Sequence, residues 1–149
     1  MTTLALRPAK PEDAGALATL FTASRTLLTF IPLLHTADED RWYIGEVVMP
    51  SQRVTVAERD GTIVGFIAES EGWVHHLYVA PNALRSGAGA SLLSDVQARQ
   101  TQLDLWCFRD NTRARSLYEK HGFAPAEFTD GSGNEAHCAD IRYRWTNGA

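Results

Sequence analysis

Only 2 of the 149 residues are cysteine, and Cys107 and Cys138 match no zinc-ligand spacing. The chain is therefore no disulfide scaffold; both residues are expected as buried free thiols, and the protein as cytoplasmic. Basic residues are also in deficit: 14 Lys and Arg against 18 Asp and Glu leave a formal net charge of -4. The chain as a whole lacks the positive field that dominates affinity for a nucleic-acid backbone or an anionic membrane, so neither is an expected partner. Long apolar runs are missing too. Residues 1–11 hold no apolar signal core, and the longest apolar stretch, residues 27–34, is interrupted by Thr29 and Pro32, far short of the ~20 residues that span a bilayer. With no repeat, low-complexity tract or composition shift, residues 1–149 are expected to form one domain, and 44% hydrophobic residues supply a core that needs no staple.

Between its turns the chain is periodic. A short strand is expected at residues 4–7. Pro11 opens a helix with Glu12 and Asp13 in its first turn and Leu17, Leu20, Phe21 and Ser24 at helical spacing. Thr36, with Glu39 three residues on, has the form of a capping box and starts a second helix through Trp42, Ile44 and Val47. Residues 25–35 are a long, apolar connection between them. The period then falls to two: residues 53–58 and 62–70 are rich in β-branched residues and joined by Asp60-Gly61, a hairpin signal. A strand over residues 73–80 stops at Pro81, a glycine-rich turn over 84–90 leads into a helix carrying Leu92, Leu93 and Val96, and a strand follows at 103–108. Asn111 opens a short amphipathic helix to His121, Gly122 ends it, and two last strands are expected around 123–129 and 138–145. Meander and crossover together predict an α/β fold on a mixed sheet.

Two segments carry chemistry. In Gly87-Ala88-Gly89-Ala90 small residues let the backbone approach a ligand, and the first amides of the following helix have no intrahelical partner and the positive end of its dipole behind them. Such a turn holds phosphate, or else it simply packs strand against helix. It is no P-loop, since no Gly-Lys follows, and no dinucleotide fingerprint, since Leu92 stands where the third glycine belongs. The second segment is Asn111, Ala114, Leu117, Tyr118, Gly122 and Phe123. Asn111, Ala114 and Tyr118 share one helical stripe, Ala114 leaving space between an amide and a phenol, while Leu117 and Phe123 face the core. Tyr118 is either part of a site or a buried aromatic whose hydroxyl finds a partner.

The strand Val74-His75-His76-Leu77-Tyr78-Val79-Ala80-Pro81, the turn Leu84-Arg85-Ser86-Gly87-Ala88-Gly89 and the stretch from Asn111 to Phe123 together resemble the GNAT superfamily of N-acetyltransferases. The family's turn reads Gln/Arg-x-x-Gly-x-Gly/Ala; here Leu84 stands first and Arg85 one place later. The resemblance implies a mixed, mostly antiparallel central sheet flanked by helices. In it the strands at 73–80 and 103–108 run parallel and splay apart to admit the pantetheine arm of acetyl-coenzyme A (acetyl-CoA), bonded along Leu77, Tyr78 and Val79. Leu84, Arg85, Ser86, Gly87, Ala88, Gly89 and Ala90 would cradle the pyrophosphate, with Arg85 as a cation. Asn111 would bond the arm beside Ala114, and Tyr118 would donate a proton to the departing thiolate. Acetyl-CoA is the implied co-substrate, and no metal is implied.

The implied reaction is direct attack of a primary amine on the thioester in a ternary complex. Such amines hold their proton up to pH ~10, so a base or water chain is needed. Candidates are His76, His75, Glu69 and Glu71. Adjacent on a strand, the two histidines project to opposite faces and form no pair; His76 is preferred for its ordinary pKa. A backbone amide of Leu77 or Val79 would hold the oxyanion. The acceptor, a small-molecule or peptide amine, is implied to sit between residues 25–35, with Phe30 and His35 as contacts, and the loop at 130–135. Core packing and a solvated turn explain those residues equally well. A homodimer is left open. The competing reading is a sensor or assembly module that binds acyl-CoA without transferring the group; retention of Tyr118 argues against it.

Overall fold

The computed structural model describes residues 3–84 and 86–148 of the chain. Its first strand, β1 (Leu4–Pro8), leads through a 3-10 turn at Pro11–Asp13 into α1 (Ala14–Thr26). The Asp13 carboxylate accepts from the Lys10 amide (2.7 Å) and from Arg7 (2.8 and 3.1 Å), which fixes the angle between strand and helix. Leu17, Leu20, Phe21 and Ser24 of α1 are buried, as their spacing requires. The capping box forms as expected: Thr36 Oγ1 accepts from the Glu39 amide (3.1 Å) and Glu39 Oε1 from the Thr36 amide (2.9 Å), starting α2 (Ala37–Tyr43). The helix then widens to a π turn at Ile44–Val48, where the Met49 amide reaches back to the Ile44 carbonyl. Pro50 accounts for the widening, since it has no N–H to donate and in a regular α-helix its ring would clash with the carbonyl of Glu46. The buried face is therefore Ile44 and Val48, and Trp42, expected on that helix, stands 63% exposed.

Asp60 (φ 54°) and Gly61 (φ 75°) make the two-residue turn between β2 (Arg53–Arg59) and β3 (Thr62–Ser70). Next come β4 (Trp73–Val79), α3 (Ala88–Gln97), β5 (Gln102–Phe108), α4 (Thr112–Lys120), β6 (Ala124–Phe128) and β7 (Asp140–Thr146). The described strands form one open sheet in the order β1-β2-β3-β4-β5-β7-β6, antiparallel except where β4 meets β5. This is the mixed, mostly antiparallel α/β fold expected. The core lies in two layers. Phe21, Ile44, Val56 and Phe66 pack α1 and α2 on one face, while Ile67, Leu92, Leu105 and Tyr143 pack α3 and α4 on the other. Each such buried side chain contributes about 1.5–3 kcal/mol by leaving water. Of the two cysteines Cys107 is buried, but Cys138 is only half-buried, its thiol against the carbonyls of Phe30 and Ala136.

Candidate active site

β4 and β5 pair at two positions only, Trp73 with Asp104 and Val74 with Leu105. Farther along they separate. The Ala80 amide donates to Val64 (2.8 Å), and the alternation of an antiparallel ladder then turns the N–H and C=O of His76 and Tyr78 toward β3 and those of Leu77 and Val79 toward the gap. The Val79 carbonyl accepts from Ser24 Oγ of α1 (3.2 Å), and no described strand pairs with the rest of this edge. Buried backbone groups require partners, so an unpaired edge inside a sheet is a place for a ligand.

Gly87 lies at the mouth of the gap with φ 88°, a conformation glycine takes without side-chain strain, and a Cβ there would touch nothing within 4 Å. It caps α3, which begins at Ala88, so part of the expected turn is already helix. The Ser86 amide is spent on the Ala83 carbonyl (3.2 Å) and that of Ala88 on Ser86 Oγ (3.4 Å). Those of Gly89 and Ala90 meet no acceptor among the described residues. The cradle expected from 84–90 thus narrows toward the start of the helix. Gly89 also serves packing, since a Cβ there would stand 3.3 Å from Leu117 and 3.6 Å from Val79. Arg85 lies outside the described residues. A cation that the sequence did not reveal stands here: Arg59, at the end of β2, donates through Nη2 to the Ser86 carbonyl (3.4 Å), and its buried Nε has no described partner. Its sole sequence signal is a place before Asp60-Gly61, which says nothing of residue 86.

On α4, Asn111 Oδ1 accepts from the Ala114 amide (3.3 Å) and caps the helix, leaving its amide nitrogen as a donor. Tyr118 is 7% exposed, packed on Phe123 and Tyr143, and no described residue hydrogen-bonds its hydroxyl. Burial, reinforced by Cys107 of β5 and Tyr78 of β4, pushes its phenol far above the ordinary range. It is a core aromatic and a free hydroxyl at once. Leu117 is half-buried against the same core that Phe123 fills.

The four base candidates are dispersed. His76 faces α1 and α2, its Nε2 bonded to the Tyr43 hydroxyl (2.9 Å) and its ring 5.6 Å from Phe21. Burial lowers it to about 4, and its buried Nδ1 has no described partner. His75 points the other way, exposed and bonded to Ser70 (2.8 Å). Glu69 is buried toward Arg99, just past α3 (3.9 Å), and Glu71 is exposed in the β3–β4 turn. Of the expected acceptor contacts, Phe30 lies edge-on to Phe108 at the open end of β5 (5.9 Å). His35 bonds Glu135 of the β6–β7 loop (2.7 Å) and approaches Glu39 (3.6 Å), and it borders a cavity of about 220 Å³ between α1 and α2.

A family model described as an acetyltransferase (GNAT) domain matches residues 50–125, which carry the splayed strands, the turn and the helix just described. The chain belongs to the GNAT acetyltransferases. This GNAT chain is 38% identical over 69 residues to the peptidyl-lysine N-acetyltransferase YiaC of Escherichia coli, 46% of the chain and 47% of that protein. It therefore spans about half the length of that curated relative. To the uncharacterized N-acetyltransferase YhfO of Bacillus subtilis it is 28% identical over 133 residues, 79% of the chain and 88% of that protein. The PaiA N-acetyltransferase of Thermoplasma acidophilum, solved in complex with coenzyme A, shares the fold with a TM-score of 0.74 at 20% identity, covering 97% of this GNAT chain and 99% of that one. Among the described residues no helix is long and apolar enough to cross a membrane, and no cluster of three His, Cys, Asp or Glu could hold a metal.

Proposed function

We propose that the chain is a single N-acetyltransferase domain that moves an acetyl group from acetyl-CoA to a primary amine by direct attack in a ternary complex. The observation that carries this reading is the open edge inside the sheet, where Leu77 and Val79 direct backbone groups into a gap; Gly89 approaches Val79, and Tyr118 belongs to the core against which Leu77 and Val79 pack. An extended chain bearing amides, such as pantetheine, adds to such an edge as a strand would. Its pyrophosphate would be held by Gly87, Gly89, Ala90 and Arg59, with Leu84, Arg85, Ser86 and Ala88 completing the turn, and Asn111 beside Ala114 would donate to the arm. A relative solved with coenzyme A supports the same assignment.

The coenzyme supplies the thioester as electrophile; the chain's own groups do the rest. A Leu77 or Val79 amide meets the oxyanion. Tyr118 keeps its proton throughout the neutral range and has no competing described partner, so its hydroxyl is held ready for the departing sulfur. Burial places this phenol well above a thiol, ordinarily ~8.5, so it acts chiefly as a hydrogen-bond donor to the forming thiolate. His76, at about 4 and bonded through Nε2 to Tyr43, is far too weak to hold the proton of an amine near ~10, so that proton passes to solvent water rather than to this ring. Phe30 and His35 flank the acceptor.

Tyr118→Phe separates transfer from mere binding. Turnover should fall about ten-fold or more, with acetyl-CoA affinity nearly unchanged. Unchanged turnover would overturn the role given to Tyr118, and absence of any turnover in the native protein beside firm coenzyme binding would favour a sensor.

A further inference from the structure

Arg25, near the end of α1, forms neither an ion pair nor a side-chain hydrogen bond with a described residue; its guanidinium lies 5.4 Å from the centre of the Phe21 ring. It lines the cavity of about 220 Å³ between α1, residues 27–36 and α2. Asp40 lines the same cavity and is only 6% exposed, one carboxylate oxygen accepting from Thr22 Oγ1 (2.6 Å) and no described cation pairing with it. Two opposite charges thus border one small space without meeting each other. A nearly buried charge left unpaired is costly, and a ligand carrying the complementary pair removes that cost. The cavity falls below the ~300 Å³ at which drug-sized sites begin, so it suits one small molecule, with Leu33 and Leu34 as its apolar wall.

We infer that this cavity binds a small zwitterion of the free amino-acid class, its carboxylate on Arg25 and its ammonium on Asp40 and Thr22. The binding stands by itself; that this molecule is the acetyl acceptor rests on the function proposed above.

The test is calorimetric titration of the full chain, with and without saturating coenzyme A. The probes are free amino acids, each beside its methyl ester and its decarboxylated amine, and a short lysine peptide. At least one free amino acid should bind about ten-fold or more tightly than its ester and its amine. Arg25→Ala should erase the preference for acid over ester, Arg25→Lys should keep part of it, and Asp40→Asn should weaken binding about ten-fold, each with unaltered circular dichroism. Equal binding of acid and ester, no amino-acid binding, or tighter binding of the peptide that Arg25→Ala leaves intact would overturn the inference. Because no turnover is read, amino-acid binding without acetyl transfer would count against the proposed reaction alone. Transfer to amines without amino-acid binding would count against this site alone.

Discussion

His76 gains its character from its surroundings rather than from its type. Phe21, Tyr43 and Tyr78 enclose it, and loss of water lowers its pKa from 6.5 to about 4. Between those values the unfolded chain takes up a proton that the folded chain refuses, so the stability is complete above about 6.5 and drains away as pH falls toward 4. Some two and a half units correspond to about 3 kcal/mol. Urea titrations at pH 7 and 4 should show the native protein losing about 3 kcal/mol more than His76→Phe over that interval; equal losses would show that the ring is not desolvated. Strand alternation was enough to place His75 and His76 on opposite faces. It could not reveal the desolvation, which comes from side chains on α1 and α2, far away in sequence. Arg59 was hidden for the same reason, because its proximity to Ser86 depends on how the β2–β3 hairpin lies against the turn after β4.

At the scale of elements, signals spanning four residues or fewer were legible: the Thr36–Glu39 box, the Asp60-Gly61 turn, the Gly122 stop after α4. Each is an interaction the chain makes with itself locally. The separation of β4 from β5 is not of that kind, since it lies in which edges find no neighbour; only likeness to a family foretold it. Two expectations belong here. Arg59→Ala removes a cation from the turn at the start of α3 while leaving the hairpin intact. It should weaken acetyl-CoA binding about ten-fold, the worth of one charge-assisted bond, with little change in melting temperature; an unaltered dissociation constant by calorimetry would remove Arg59 from the cradle. The contact of His35 with Glu135 and Glu39 fastens residues 27–36 to the β6–β7 loop, and those carboxylates raise the imidazole's pKa above 6.5. A raised value means that the fastening is complete below 6.5 and lost as pH climbs through the higher value. Chymotryptic cleavage beside the exposed Leu33 should therefore accelerate with rising pH beyond the protease's own profile, and His35→Asn should cleave at the faster rate throughout.

Across the whole molecule, the charge of -4 hides a polarity. Acidic residues dominate overall, yet Arg59 and the first amides of α3 give the mouth of the gap a positive end, so the balance that disfavours nucleic acid does not disfavour a polyanionic coenzyme. The sheet works in the same divided way. Its two core layers are each complete, one under α1 and α2 and one under α3 and α4, and the gap between β4 and β5 is where the two halves of the sheet, β1–β4 and β5–β7, are not stitched together by backbone bonds beyond Val74 and Leu105. Layering was readable from periodicity, because each amphipathic element declares its own inner face. The gap sits where the two halves of the sheet meet, a relation between strands that no single element declares.

Hydrogen exchange with and without acetyl-CoA addresses that gap directly. The Leu77, Val79, Gly89 and Ala90 amides should exchange markedly more slowly once the coenzyme is added, because it supplies acceptors that no described residue offers them. No slowing at those four amides, or slowing confined to the outer edges β1 and β6, would contradict the placement of the coenzyme between β4 and β5.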